Sequence, residues 1–131
     1  MIKVIFLLKF RSDLDKADVR RWWLNEHGEL ALRNLGMKRY VQNHWIAPID
    51  PAHAAGGMPY DGCVEVWWED EEAYRRTMAS PEWKALEEDG VNGFDMEVLH
   101  GGFVVEHVMR WDARPDQRPY TSAAVLPGAT Q

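Results

Sequence analysis

The stretch R-R-W-W-L-N-E-H-G-E-L-A-L-R-N-L-G-M-K-R-Y-V-Q-N-H-W, Arg20 to Trp45, changes its period partway along. Val19, Trp23, His27 and Leu30 or Ala31 recur at three- and four-residue spacing, which makes one apolar stripe on a helix. From Met37 to Ile46 the period is two, the alternation of a strand. Lys38, Tyr40, Gln42, His44 and Ile46 share one face, and Arg39, Val41, Asn43 and Trp45 the other. Gly36 stands between the two patterns and suits a helix stop. A helix joined so closely to a strand must fold back over it. His27 on the helix stripe can then meet Tyr40, Gln42 and His44 on the strand, and such polar groups between a helix and a sheet can form a small-molecule site.

The flanking segments supply the rest of a sheet. Residues 2–10 alternate, with Ile2, Val4, Phe6, Leu8 and Phe10 on one face and Lys3, Ile5, Leu7 and Lys9 on the other. A strand that is apolar in the middle of both faces belongs at the centre of a sheet. Ser12 or Asp13 can cap the helix that follows, and Asp15 and Asp18 suit its positive end. Cys63 to Trp68 reads as a third strand, and Asp70 opens another helix. Ser80-Pro81-Glu82 is a cap, a first-turn proline and an acidic first turn for a further helix to about Asp89. Gly90 to Asp95 reads as a turn region and Phe103 to Trp111 as the fourth strand, with Gly101-Gly102 as a turn before it. The order β-α-β-β-α-(α)-β predicts an α+β, ferredoxin-like fold with one antiparallel sheet and its helices on one face. The other face carries Val41, Trp45 and Trp67 and needs cover, which a homodimer pairing two sheets into a barrel would provide. Residues 1–111 form the domain. Residues 112–131 read as a C-terminal extension, docked on the domain or on its dimer partner.

Composition narrows the function. The chain has 131 residues and a formal net charge of -6, with no basic cluster larger than a pair such as Lys38-Arg39, which speaks against nucleic acid. No segment is long and apolar enough for a membrane span, and the apolar start lacks a signal-peptide cleavage site. A single cysteine, Cys63, forbids an internal disulfide and fits a cytoplasmic protein. Neither H-x-x-x-H, H-E-x-x-H nor paired cysteines occurs, so no metal site is expected, and without a glycine-rich phosphate loop no nucleotide cofactor is expected either. Seven tryptophans are many for this length. They suit a core and a dimer interface, and some, Trp23 and Trp68 among them, suit the walls of an aromatic-binding pocket. The loop from Ala47 to Gly62 is long for a compact domain and is read either as a lid or as a surface insertion.

In its opening M-I-K-V-I-F-L-L, its helix R-R-W-W-L-N-E-H-G, its strand G-M-K-R-Y-V-Q-N-H and its strand E-V-W-W-E-D, the chain resembles the EthD family of dimeric α/β barrels. The similarity covers roughly residues 1–110. It implies a ferredoxin-like protomer, a barrel formed by two copies, and a ligand cavity in each protomer between helix and sheet. Relatives include polyketide cyclases and a methylmuconolactone methylisomerase. Against the latter, His27 falls on a helix histidine, Tyr40 on a strand tyrosine and His53 near a loop histidine. Its pocket cysteine falls at about Val66, so no thiol stands there.

These residues suit cofactor-free proton transfer. A buried imidazole at His27 is held neutral and can act as a base. Tyr40 and His44 can polarise or protonate a developing oxyanion, and Gln42 can orient it. His53, Trp23, Val66 and Trp68 would complete the binding surface. The expected activity is cyclisation, dehydration, isomerisation or lyase-type cleavage of a small hydrophobic, carbonyl-containing molecule. Two rivals stand beside it: a non-catalytic carrier serving a partner oxygenase, and a cofactor-independent or haem-dependent oxidoreductase. Each histidine also has a structural reading, as a core or surface side chain.

Overall fold

The computed structural model of the chain describes residues 1–54 and 58–111, with the backbone alone at 53 and 54. Strand β1 (Ile2–Leu8) is followed by α1 (Lys16–Trp22), a wide π-helical turn (Trp23–His27) and α2 (Gly28–Leu32), all in one continuous helix. Then come β2 (Met37–His44), a short 3-10 turn (Pro51–Ala54), β3 (Gly62–Trp68), α3 (Glu71–Met78), α4 (Pro81–Gly90) and β4 (His100–Val104). The sheet runs β2-β3-β1-β4, and every pair is antiparallel. This is the expected ferredoxin-like α+β fold, with β1 and β3 in the middle.

Helix starts follow their side chains. Asp15, rather than Ser12 or Asp13, caps α1 by accepting the Asp18 N–H at 3.1 Å. Position 15 is the last extended residue before the first turn, so its carboxylate alone can reach the free N–H groups there. Asp70 and Ser80 cap α3 and α4 as read.

The fourth strand departs from expectation. It spans His100–Val104, not Phe103–Trp111, and Gly101-Gly102 lie inside it rather than in a turn. The cause lies across the sheet. Gly101 pairs with Phe6, and a Cβ added there would come within 2.9 Å of the Phe6 ring. A bulky residue at position 101 would displace that ring, whereas glycine lets β4 lie flat against β1.

The core fills the space between sheet and helices. Ile2, Val4, Leu8, Val64, Val66 and Trp68 from the strands meet Val19, Trp23, Ala31, Ala73, Trp83 and Leu86 from the helices. On the opposite face Trp67 is buried at 2 % exposure, not bare as its position suggested. Lys3 Nζ lies 4.4 Å and the Arg39 guanidinium 4.6 Å from its ring centroid. Lys3 in turn bonds Glu65 at 2.8 Å and Glu106 at 2.6 Å. Burial works against the Lys3 charge, but these carboxylates more than offset it and hold its pKa above the usual lysine value. The tip of the long loop, residues 55–57, and the extension 112–131 lie outside the described residues.

Candidate active site

The π turn sets the geometry. Residues five apart on a regular helix point about 140° away from each other. Here the Gly28 N–H reaches back to the Trp23 carbonyl, the wider turn turns Trp22 and His27 to one side, and their rings lie 4.7 Å apart. Wide turns of this kind gather at functional sites. A Cβ at Gly28 would lie 3.1 Å from the Trp23 carbonyl oxygen and 3.2 Å from the Gln42 amide nitrogen, so a larger residue would crowd both. That nitrogen donates to the Trp23 carbonyl at 2.9 Å, tying helix to strand.

Between helix and sheet lies a cavity of about 370 Å3. Its floor is Phe6, Leu8, Tyr40, Val64 and Val66, its helical walls include Trp23, His27, Trp83 and Leu86, and Phe94, Met96 and Leu99 close one side. His27 and Tyr40 therefore line one chamber, together with Trp23 and Val66. Cys63 points to the other sheet face and supplies no thiol. Trp68 does not line the chamber: it is fully buried, its indole N–H donating to the Thr77 hydroxyl at 3.0 Å, so it is core. His53 lies in the Pro51–Ala54 turn, and its side chain is outside the described residues.

His44 and Gln42 do not reach the chamber. Together with Tyr40 they line a separate open groove beside α2. The strand alternation is right, since all three do share a face, but Trp23 stands in the way. Its indole stacks on the His44 ring at 4.0 Å and lies over Gly62, where a Cβ would come within 2.7 Å of it. His44 Nε2 donates to Gln42 Oε1 at 2.8 Å, and Gln42 Nε2 donates to the Tyr40 hydroxyl at 3.0 Å. Gln42 therefore orients Tyr40 from behind. With an acceptor site of its hydroxyl occupied, Tyr40 keeps its own proton free to donate.

Sequence reasoning missed Asp89. The carboxylate at the end of α4 accepts from His27 Nδ1 at 2.9 Å. With the proton on Nδ1, Nε2 is left as the free acceptor. Burial lowers the His27 pKa, opposed in part by Asp89, which favours the neutral ring. Burial also raises that of Tyr40, keeping its hydroxyl protonated. An imidazole favoured in its neutral form and a protonated phenol thus line one largely apolar cavity, a combination suited to acid–base chemistry. His100 meets the Tyr60 hydroxyl at 2.7 Å at the sheet edge. Among the described residues no group of three or more His, Cys, Asp or Glu side chains is placed to hold a metal ion.

The depressed histidines couple to stability. Burial lowers the pKa of both His27 and, with help from the Arg20 charge, His44 below the ordinary value of 6.5. The unfolded chain then binds more protons than the folded one as pH falls through 6.5, so stability is lost on that side. The carboxylate Glu65, also held low, begins to matter only below about 4.5. The melting temperature should therefore fall between pH 7 and pH 5, and fall less steeply in His27→Gln. Equal slopes by differential scanning fluorimetry would refute the assignment.

The fold and chamber define a class: a ferredoxin-like protomer with a half-open cavity between helix and sheet. The EthD domain model matches residues 11–97, and the chain belongs to the EthD domain family. It is similar in structure to an EthD family protein from Bacillus halodurans, with 19% identity and a TM-score of 0.64 over 82% of this chain and 100% of that one. A dimeric ferredoxin-like protein of unknown function from Thermobifida fusca has 17% identity and a TM-score of 0.58 over 79% and 88%. The hydroxynitrile lyase of Passiflora edulis has 15% identity and a TM-score of 0.58 over 81% and 94%. No curated protein matches the chain. Among the described residues no helix is long and apolar enough to cross a membrane.

Proposed function

We propose that the chain is an enzyme that moves a proton next to a carbonyl, without a cofactor, in a small hydrophobic molecule held in the His27–Tyr40 chamber. The observation that carries this is the His27–Asp89 pair opening onto a largely apolar cavity, with a protonated Tyr40 across it. His27 Nε2 removes the proton from the carbon beside the carbonyl. The imidazolium that forms is stabilised by Asp89, and the Tyr40 hydroxyl donates to the oxygen as it gains charge. His27 then returns the proton, to the same carbon, to another one, or to a leaving group. Isomerisation, cyclisation, dehydration and lyase-type cleavage all share this first step. That one structural neighbour is named a lyase supports enzyme chemistry on this fold. The test is solvent deuterium exchange into a bound aryl ketone, followed by NMR. Exchange above the buffer rate supports the reading; tight binding without exchange would overturn it in favour of a carrier.

We further propose that the protein acts as a homodimer. Trp45, Ile46, Val105 and Trp111 are exposed apolar groups, and among the described residues no helix lies over the sheet face bearing Lys3, Glu65 and Trp67. A similar structure is described as dimeric. Light scattering should give twice the 15.2 kDa of one chain; a monomer at micromolar concentration would refute it.

A further inference from the structure

Helix α4 contributes one more polar group to the chamber. Glu87 stands in the cavity lining on a helix turn otherwise represented by Trp83, Leu86 and Gly90. It is solvent-exposed, so it marks the mouth of the chamber rather than its depth. Its carboxylate is not free to swing. The buried Trp83, one turn earlier, donates its indole N–H to Glu87 Oε1 at 2.8 Å. Trp83 itself is wedged against Phe6 and Trp68, with ring centroids 6.1 Å and 6.3 Å away. One carboxylate oxygen is therefore fixed, and the other is left to meet whatever enters.

The charge balance of the lining is one-sided. Among the described residues no lysine or arginine lines the chamber, and its histidine is already engaged with Asp89. An anionic ligand would meet the hydrogen-bonded Glu87 carboxylate at the entrance and, among the described lining residues, no lysine or arginine to offset the repulsion of like charges. A hydroxyl at the same place would donate to the carboxylate in a charge-assisted bond.

We propose that Glu87 sets the polarity of the ligand: the chamber takes uncharged aromatic molecules whose hydroxyl reaches Glu87, and rejects carboxylates of the same shape. This rests on the reading of the chamber as the ligand site. The test is calorimetric titration at pH 7 with 2-naphthol, 2-methoxynaphthalene and 2-naphthoate, which share a ring system and differ in the group presented. Wild-type protein should bind 2-naphthol at least about tenfold more tightly than either of the others, the worth of one hydrogen bond to a charged group. In Glu87→Gln, an isosteric change at an exposed position, the preference over 2-naphthoate should shrink to within about threefold, because the amide can donate to the carboxylate. A ratio unchanged in Glu87→Gln, or tighter binding of 2-naphthoate to wild type, overturns the assignment to Glu87 alone. Failure of wild type to bind any of the three overturns the chamber as a ligand site, and this proposal with it.

Discussion

Replacement of His27 by alanine is expected to slow exchange of the α-protons of a bound ketone by about a hundred- to ten-thousand-fold, the usual worth of a placed general base. Ligand affinity should change much less, since the walls are apolar and remain in place. The pH profile separates this role from a packing role. The wild-type rate should rise with pH through a value below the ordinary histidine range, because burial of the ring favours its neutral form. It should then stay flat through neutrality. Asp89→Asn serves as the companion variant. An asparagine can present its amide N–H to Nδ1, which moves the ring proton to Nε2 and removes the base while leaving the fold. A large loss in Asp89→Asn alongside His27→Ala identifies the pair as one unit, whose effects do not add. Full exchange activity in His27→Ala would end the proton-transfer reading.

How much of this was legible depends on which distances the sequence encodes. Periodicity is local, so β1, β2 and β3 could be read nearly to their ends, as could the caps at Asp70 and Ser80. The glycines of β4 misled because their reason is a ring on another strand, Phe6, that only the paired sheet brings to Gly101. The site shows the same division. That Tyr40, Gln42 and His44 share a face follows from the strand alone. That only Tyr40 reaches the chamber depends on the depth to which Trp23 fills the space above Gly62, a matter of packing volume. Asp89 was invisible for a related reason. It is 62 residues from His27 along the chain, at the end of a helix whose rotation against the π turn no spacing rule fixes. The partner that sets the tautomer of the base therefore had to come from the fold.

Trp23→Ala should have the largest effect on stability, about 3–5 kcal/mol, because a fully buried indole is lost and the surrounding rings cannot close the gap. Trp23 is 0 % exposed, and its neighbours Phe10, Phe94 and His44 approach it at 5.9, 5.8 and 4.0 Å. Gly62 cannot move in, having no side chain to fill the space, and its own backbone is held in the β3 pairing with β1 and β2. A domain of this size has only about 5–15 kcal/mol in total, so the melting temperature should drop by roughly 10–25 °C. Trp23→Phe keeps much of the contact and should fall by less than half as much. The site should change as well. With the indole gone, the chamber should gain space toward the His44 groove, lined mainly by apolar groups, so an aromatic filler such as indole should enter it. Indole at millimolar concentration should then raise the melting temperature of Trp23→Ala but not that of wild type by the same amount, through binding to the folded state alone. If thermal scans show a loss below about 1 kcal/mol, or no rescue by indole, Trp23 is not the partition described, and the confinement of His44 to the outer groove needs another cause.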